Sequence, residues 1–109
     1  MFTKKEYVQM KEIIYFDVDD TLVRSFGKKR IPMPATIANV RALKENGAEL
    51  YLWSSGGADY CRLTAQELGI EDCFLAFLPK PTIYIDDQPV HEWRLCKHLY
   101  PSQAANSIA

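Results

Sequence analysis

Three short apolar runs, each stopping abruptly at an acid or a hydroxyl, restrict the folds open to this chain more than any other feature. Ile13-Ile14-Tyr15-Phe16 stops at Asp17-Val18-Asp19-Asp20-Thr21. Ala48-Glu49-Leu50-Tyr51-Leu52-Trp53 stops at Ser54-Ser55-Gly56-Gly57, and Thr82-Ile83-Tyr84-Ile85 stops at Asp86-Asp87. Continuous β-branched and aromatic runs of this length suit buried strands, covered on both faces in the first and last cases. A shorter strand is expected at Phe74 to Leu78, before the rigid break Pro79-Lys80-Pro81.

Helical patterns alternate with these runs. Pro34 opens one helix, in which Ile37, Val40 and Leu43 recur on one face and Gly47 marks the stop. A second is expected from Ala58 to Leu68, closed by Gly69, and a third from Val90 to Leu99. The basic, punctuated stretch Val23 to Met33 reads as a flap, and the small polar tail 101–109 as unstructured. Strands alternating with helices imply βαβ units with right-handed crossovers. The expected fold is α/β: a single three-layer Rossmann-like domain over residues 1–109, with a mainly parallel sheet and no cap domain.

Composition agrees with one globular core. The chain has 109 residues, of which 48% are apolar and 25% charged, and that is long enough to fold without staples. Thirteen basic against fourteen acidic side chains give a net charge of -1, so no overall field draws it to nucleic acid or anionic lipid. No apolar run approaches the roughly 20 residues of a membrane span. The opening Met1 to Glu12 lacks a secretory pattern, so a cytoplasmic location is expected. Cys61, Cys73 and Cys96 are odd in number and have no CxxC spacing, which reads as free thiols and not as a disulfide or zinc framework.

In open parallel sheets ligands bind beyond the carboxyl ends of the strands. The chemistry-bearing residues fall there: Asp17 and Asp19, then Ser54, Ser55 and Gly56, then Lys80, then Asp86 and Asp87. Carboxylates gathered at one edge repel unless a cation joins them, and an all-oxygen set favours Mg²⁺ over zinc. Asp17 and Asp19, two apart in extended backbone, address one substrate: one carboxylate can attack phosphorus while the other handles the proton. Ser54 and neighbouring N–H groups can hold phosphoryl oxygens, and Lys80 can neutralise charge built up in transfer.

Asp17-Val18-Asp19-Asp20-Thr21-Leu22 resembles the first signature of the haloacid dehalogenase-like superfamily, an apolar strand leading into D-x-D-x-T and an apolar residue. Ser54 after its strand, Lys80, and Asp86-Asp87 after Ile83-Tyr84-Ile85 are similar to its second, third and fourth motifs, in that order. The resemblance covers Ile13 to Gln88. It implies that Asp17 is the nucleophile, forming an aspartyl phosphate, that Asp19 is the general acid/base, and that Thr21 braces the loop. It also implies magnesium held by Asp17, the Asp19 carbonyl and Asp86, with Asp87 as a ligand or just behind one. An acid at position 19 points to phosphatases or phosphotransferases more than to dehalogenases. Position 20 is often Gly in the family; Asp tolerates left-handed backbone better than most residues. Ser54 and Ser55 compete for the second-motif role, with Ser54 favoured as the residue that directly follows Trp53.

The expected function is thus a magnesium-dependent phosphatase acting on a phosphate monoester, one whose open, capless cleft suits a bulky substrate. Arg24, Lys28, Lys29 and Arg30 would steer an anion or else stand solvated, and nucleic acid is not indicated. Two other readings stay open: a phosphoacceptor receiver-like domain, and a phosphate-binding interaction module without turnover.

Overall fold

In the computed structural model residues 11–107 are described, so most of the expectation for the segment 1–12 lies outside the described residues, as do positions 108–109 of the tail. Strand β1 (Ile13–Asp17) leads through a tight loop into the hairpin β2 (Val23–Phe26) and β3 (Lys29–Pro32), then α1 (Pro34–Glu45). β4 (Glu49–Ser54), α2 (Ala58–Glu67), a 3-10 turn at Glu71–Cys73 and β5 (Ala76–Pro79) follow. The expected flap is this hairpin. It turns at Gly27, whose φ of +63° suits the first central position of a two-residue II′ turn.

β1, β4 and β5 form a parallel sheet in the order β1-β4-β5. Tyr15 lies opposite Tyr51 and Phe16 opposite Leu52, which in turn lies opposite Phe77. Because side chains alternate along a strand, this register sorts them by face. Ile14, Phe16, Leu50, Leu52 and Phe77 join one core with Val40 and Leu43 of α1 and with Cys61 and Ala65 of α2. Leu50 and Leu52 are wholly buried. The opposite face carries Tyr15, Tyr51 and Trp53 side by side, with the Tyr51 ring tilted 30° and the Trp53 ring edge-on to that of Tyr15, each at a centroid distance of 5.0 Å.

The described residues therefore make a mixed α/β domain with helices on one face of the sheet, where coverage of both faces was expected. The cause is topological. Each crossover steps one strand further in the same direction, and right-handed connections that step the same way lay their helices on the same side. Covering the other face needs a strand added beyond β1.

The run Thr82-Ile83-Tyr84-Ile85 was expected to be a buried strand, and it is not one: it is coil, with Ile83 79% and Ile85 97% exposed. Chain length explains the difference. From Pro79, at the carboxyl end of β5, to Thr82 the chain reaches about 11 Å at most. A parallel neighbour of β1 would need it to return the length of a strand, about 13 Å, and also to cross about 14 Å of sheet. Parallel crossovers take about a dozen residues or more.

The helix expected from Val90 to Leu99 is reduced to a 3-10 turn at Val90–Glu92. Short helices draw their stability from a packed face, and Val90, Trp93 and Leu95 are all exposed here. The tail departs in the other direction. Residues expected to be unstructured form α3 (Pro101–Ser107), started by proline and docked against α1, with Ala104 buried. No helix among the described residues is long and apolar enough to cross a membrane.

Candidate functional site

The loop after β1 is built around one carbonyl. Val18 O accepts the backbone N–H groups of Thr21, Leu22 and Val23 at 3.3, 2.9 and 3.2 Å, while Asp20 N–H donates to Val23 O at 2.7 Å. The fully buried side chains of Val18 and Leu22 anchor the loop from inside. Closing so tight a turn puts Asp20 in the left-handed region, at φ +61°, as the expectation for this position required. Asp17 and Asp19 are thereby fixed on either side of a buried valine.

Ser54 ends β4 on the core side and is 1% exposed. Its Oγ accepts the Gly56 N–H at 3.0 Å, and its carbonyl accepts the N–H groups of Gly57 at 3.1 Å and Lys80 at 2.9 Å. One residue thus shapes the Ser55-Gly56-Gly57 turn and also fixes the backbone of Lys80. Ser55 is exposed. Gly56 is needed for space: a Cβ there would lie 2.8 Å from Cδ2 of Tyr60.

Lys80, leaving β5, reaches across the end of β4. Its Nζ lies 5.7 Å from the centroid of the Trp53 ring and 3.2 Å from Asp17 Oδ1. The two side chains are 35% and 31% exposed, so this pair contributes at most about 1 kcal/mol to the fold. Its significance is positional: an ammonium and a carboxylate from strands that are not neighbours meet at the carboxyl edge.

Asp19 has a partner that sequence reasoning missed. Tyr60, in the first turn of α2, donates its phenol to Asp19 Oδ1 at 2.7 Å. Burial pushes the Tyr60 phenol above its usual pKa, and the hydrogen bond to Asp19 pushes it in the same direction. The Arg30 guanidinium lies 5.0 Å from the centroid of the Tyr60 ring and donates to Thr64 Oγ1 at 2.7 Å and Glu67 Oε2 at 3.0 Å. Arg30 is therefore strapped to α2 and withdrawn from the steering role considered for the basic flap. Arg24, Lys28 and Lys29 remain exposed. Nothing in the local pattern around Tyr60 distinguishes it from a tyrosine on a half-buried helix face.

Asp86 and Asp87 are not brought to this group. Both are exposed in the coil beyond Pro81, and Asp86 Oδ1 accepts the Gln88 N–H at 2.9 Å. Among the described residues no three His, Cys, Asp or Glu side chains are gathered as a metal ion would need. One oxygen of Asp17 faces Lys80 and Asp86 stands away in the coil, so the arrangement does not fit the magnesium set the resemblance implies, Asp17, the Asp19 carbonyl and Asp86.

No curated protein and no solved structure matches the chain. A family match covers residues 1–80, taking in Asp17, Asp19, Ser54 and Lys80 and stopping short of Asp86. With 80 of its 109 residues matched, the chain belongs to the family described as Protein of unknown function (DUF705).

Proposed function

We propose that this protein is a phosphatase of the haloacid dehalogenase-like type, hydrolysing a phosphate monoester through an aspartyl phosphate on Asp17. The observation that carries the reading is the 3.2 Å approach of Lys80 Nζ to Asp17 Oδ1 at the carboxyl edge of a parallel sheet. The fold gains little from that contact, whereas a phosphoryl group seated there would meet a nucleophile and a cation together.

In the proposed reaction an Asp17 oxygen attacks phosphorus, the bond from phosphorus to the leaving oxygen breaks, and Asp19 gives that oxygen its proton. Water then attacks the aspartyl phosphate, Asp19 takes a proton from the water, and the bond from phosphorus to Asp17 breaks to release phosphate. Lys80 offsets the charge gathered on the phosphoryl oxygens. Ser54 holds the adjacent turn, with Ser55 and Gly56 at its exposed side. Magnesium belongs to the proposal through the resemblance alone, and no step is routed through it. The three-layer Rossmann-like form belongs there too, with the Tyr15, Tyr51 and Trp53 face as the surface a third layer would cover. A cytoplasmic location and a bulky phosphorylated substrate complete the reading.

Turnover of an aryl phosphate, with magnesium or with chelator, tests it on wild type and Asp17→Asn. The proposal expects magnesium-stimulated hydrolysis by wild type and a loss of at least about 100-fold in the variant. Activity undiminished in Asp17→Asn overturns it.

A further inference from the structure

We infer that Tyr60 is a positioning residue for Asp19, held in place by Arg30 of the hairpin; the inference rests on the phosphatase reading and names a part of the site that reading does not contain. Three contacts converge on this side chain. Its hydroxyl donates to Asp19 Oδ1 at 2.7 Å, its ring lies beneath the Arg30 guanidinium, and the same ring occupies the space that a Cβ at Gly56 would need. Arg30 is in turn fixed at two further points on α2, Thr64 Oγ1 and Glu67 Oε2, and Thr64 Oγ1 donates to Tyr60 O at 2.9 Å.

The consequence for Asp19 is a choice between its oxygens. A carboxyl group that works as acid and then as base has two, and either can carry the proton. With Oδ1 accepting from the phenol, Oδ2 is the oxygen left to carry it, and the carboxyl plane is set before substrate arrives. The strap adds a link to the neighbouring structure. The hairpin that carries Arg30 follows the nucleophile loop directly, and a β-bridge between Asp19 and Val23 joins that loop to the start of β2. The carboxyl of Asp19 is thus held on the α2 side through Tyr60 and on the hairpin side through its own backbone.

A residue that acts through the general acid has a signature that loosened packing does not reproduce. Protonation of the leaving oxygen matters when the leaving group is a poor one and hardly matters when it departs unaided. In Tyr60→Phe, which keeps the ring and removes the hydroxyl, kcat/KM for phenyl phosphate, which reports transfer to Asp17, should fall about tenfold while kcat/KM for 2,4-dinitrophenyl phosphate changes less than about twofold. KM for phenyl phosphate, whose transfer step limits turnover, should stay within about twofold of wild type. In an Asp19→Asn background the same substitution should cost nothing further, since the group it positions is gone. Arg30→Gln should shift the two substrates in the same sense as Tyr60→Phe, by a smaller factor.

Equal loss on the two substrates, no loss on phenyl phosphate, or a full additional loss in the Asp19→Asn background overturns the positioning role. In each of those outcomes wild-type turnover leaves the phosphatase reading standing. A wild type that hydrolyses neither ester overturns that reading and the role of Tyr60 with it.

Discussion

The loop after β1 depends on single residues whose backbone geometry is demanding. Asp20 is, among the described residues, the one non-glycine position with positive φ, and it sits where three N–H groups crowd onto Val18 O. A β-branched side chain is strained in that conformation. Asp20→Val is therefore expected to destabilise the fold by about 1–2 kcal/mol, and Asp20→Gly to leave it unchanged or slightly firmer. Urea midpoints of the two variants check this; equal midpoints would mean the loop relaxes elsewhere. This much was legible in the sequence, because a D-x-D-x-T loop that often has Gly at its fourth position announces a left-handed turn. The Tyr60 contact was not legible. A hydrogen bond from a helix to a loop 41 residues earlier leaves no periodic or compositional trace.

Among the elements, the sheet shows where pattern and topology part. Runs such as Ile13 to Phe16 and Ala48 to Trp53 were readable as strands because apolar β-branched and aromatic residues have few other uses at that length. The same pattern misled at Thr82 to Ile85, since periodicity carries no account of the tether. Two residues, Lys80 and Pro81, separate that run from β5, and the reach they allow decides the outcome. One-sided packing has a measurable counterpart. Leu52, wholly buried between the sheet and the helices, should cost about 2–5 kcal/mol when cut to alanine. Tyr15, 46% exposed on the other face, should cost much less, about 1 kcal/mol, when cut in the same way. Comparable losses at the two positions, read from urea unfolding, would show that the Tyr15 face is also covered.

For the whole molecule, the thiols report on how the domain is built and how it responds to pH. Cys61 and Cys73 are buried and Cys96 is exposed. Burial pushes both buried thiols above their usual pKa of 9.0, so the folded protein holds their protons more tightly than the unfolded chain does. Their contribution to stability is then full below pH 9 and is lost as the pH rises through the raised values. At pH 8 a thiol reagent should modify one cysteine of the native protein quickly and all three after unfolding; three fast thiols in the native state would contradict the packing. At this scale the order of motifs along the chain was the readable part of the site. Asp17, Ser54 and Lys80 do meet at one edge, as three successive strand ends in a parallel sheet must. Asp86 and Asp87 do not join them, because the strand meant to deliver them never forms.

In the proposed reaction Asp17 takes the phosphoryl group onto its own oxygen. Acid-quenching the protein during turnover of an aryl phosphate, then locating the adduct by mass spectrometry of its peptides, tests this directly. A phosphoryl group on Asp17 that appears within a single turnover and is missing from Asp17→Asn is the result expected. Turnover with no adduct at any time, or an adduct on another side chain, would contradict it.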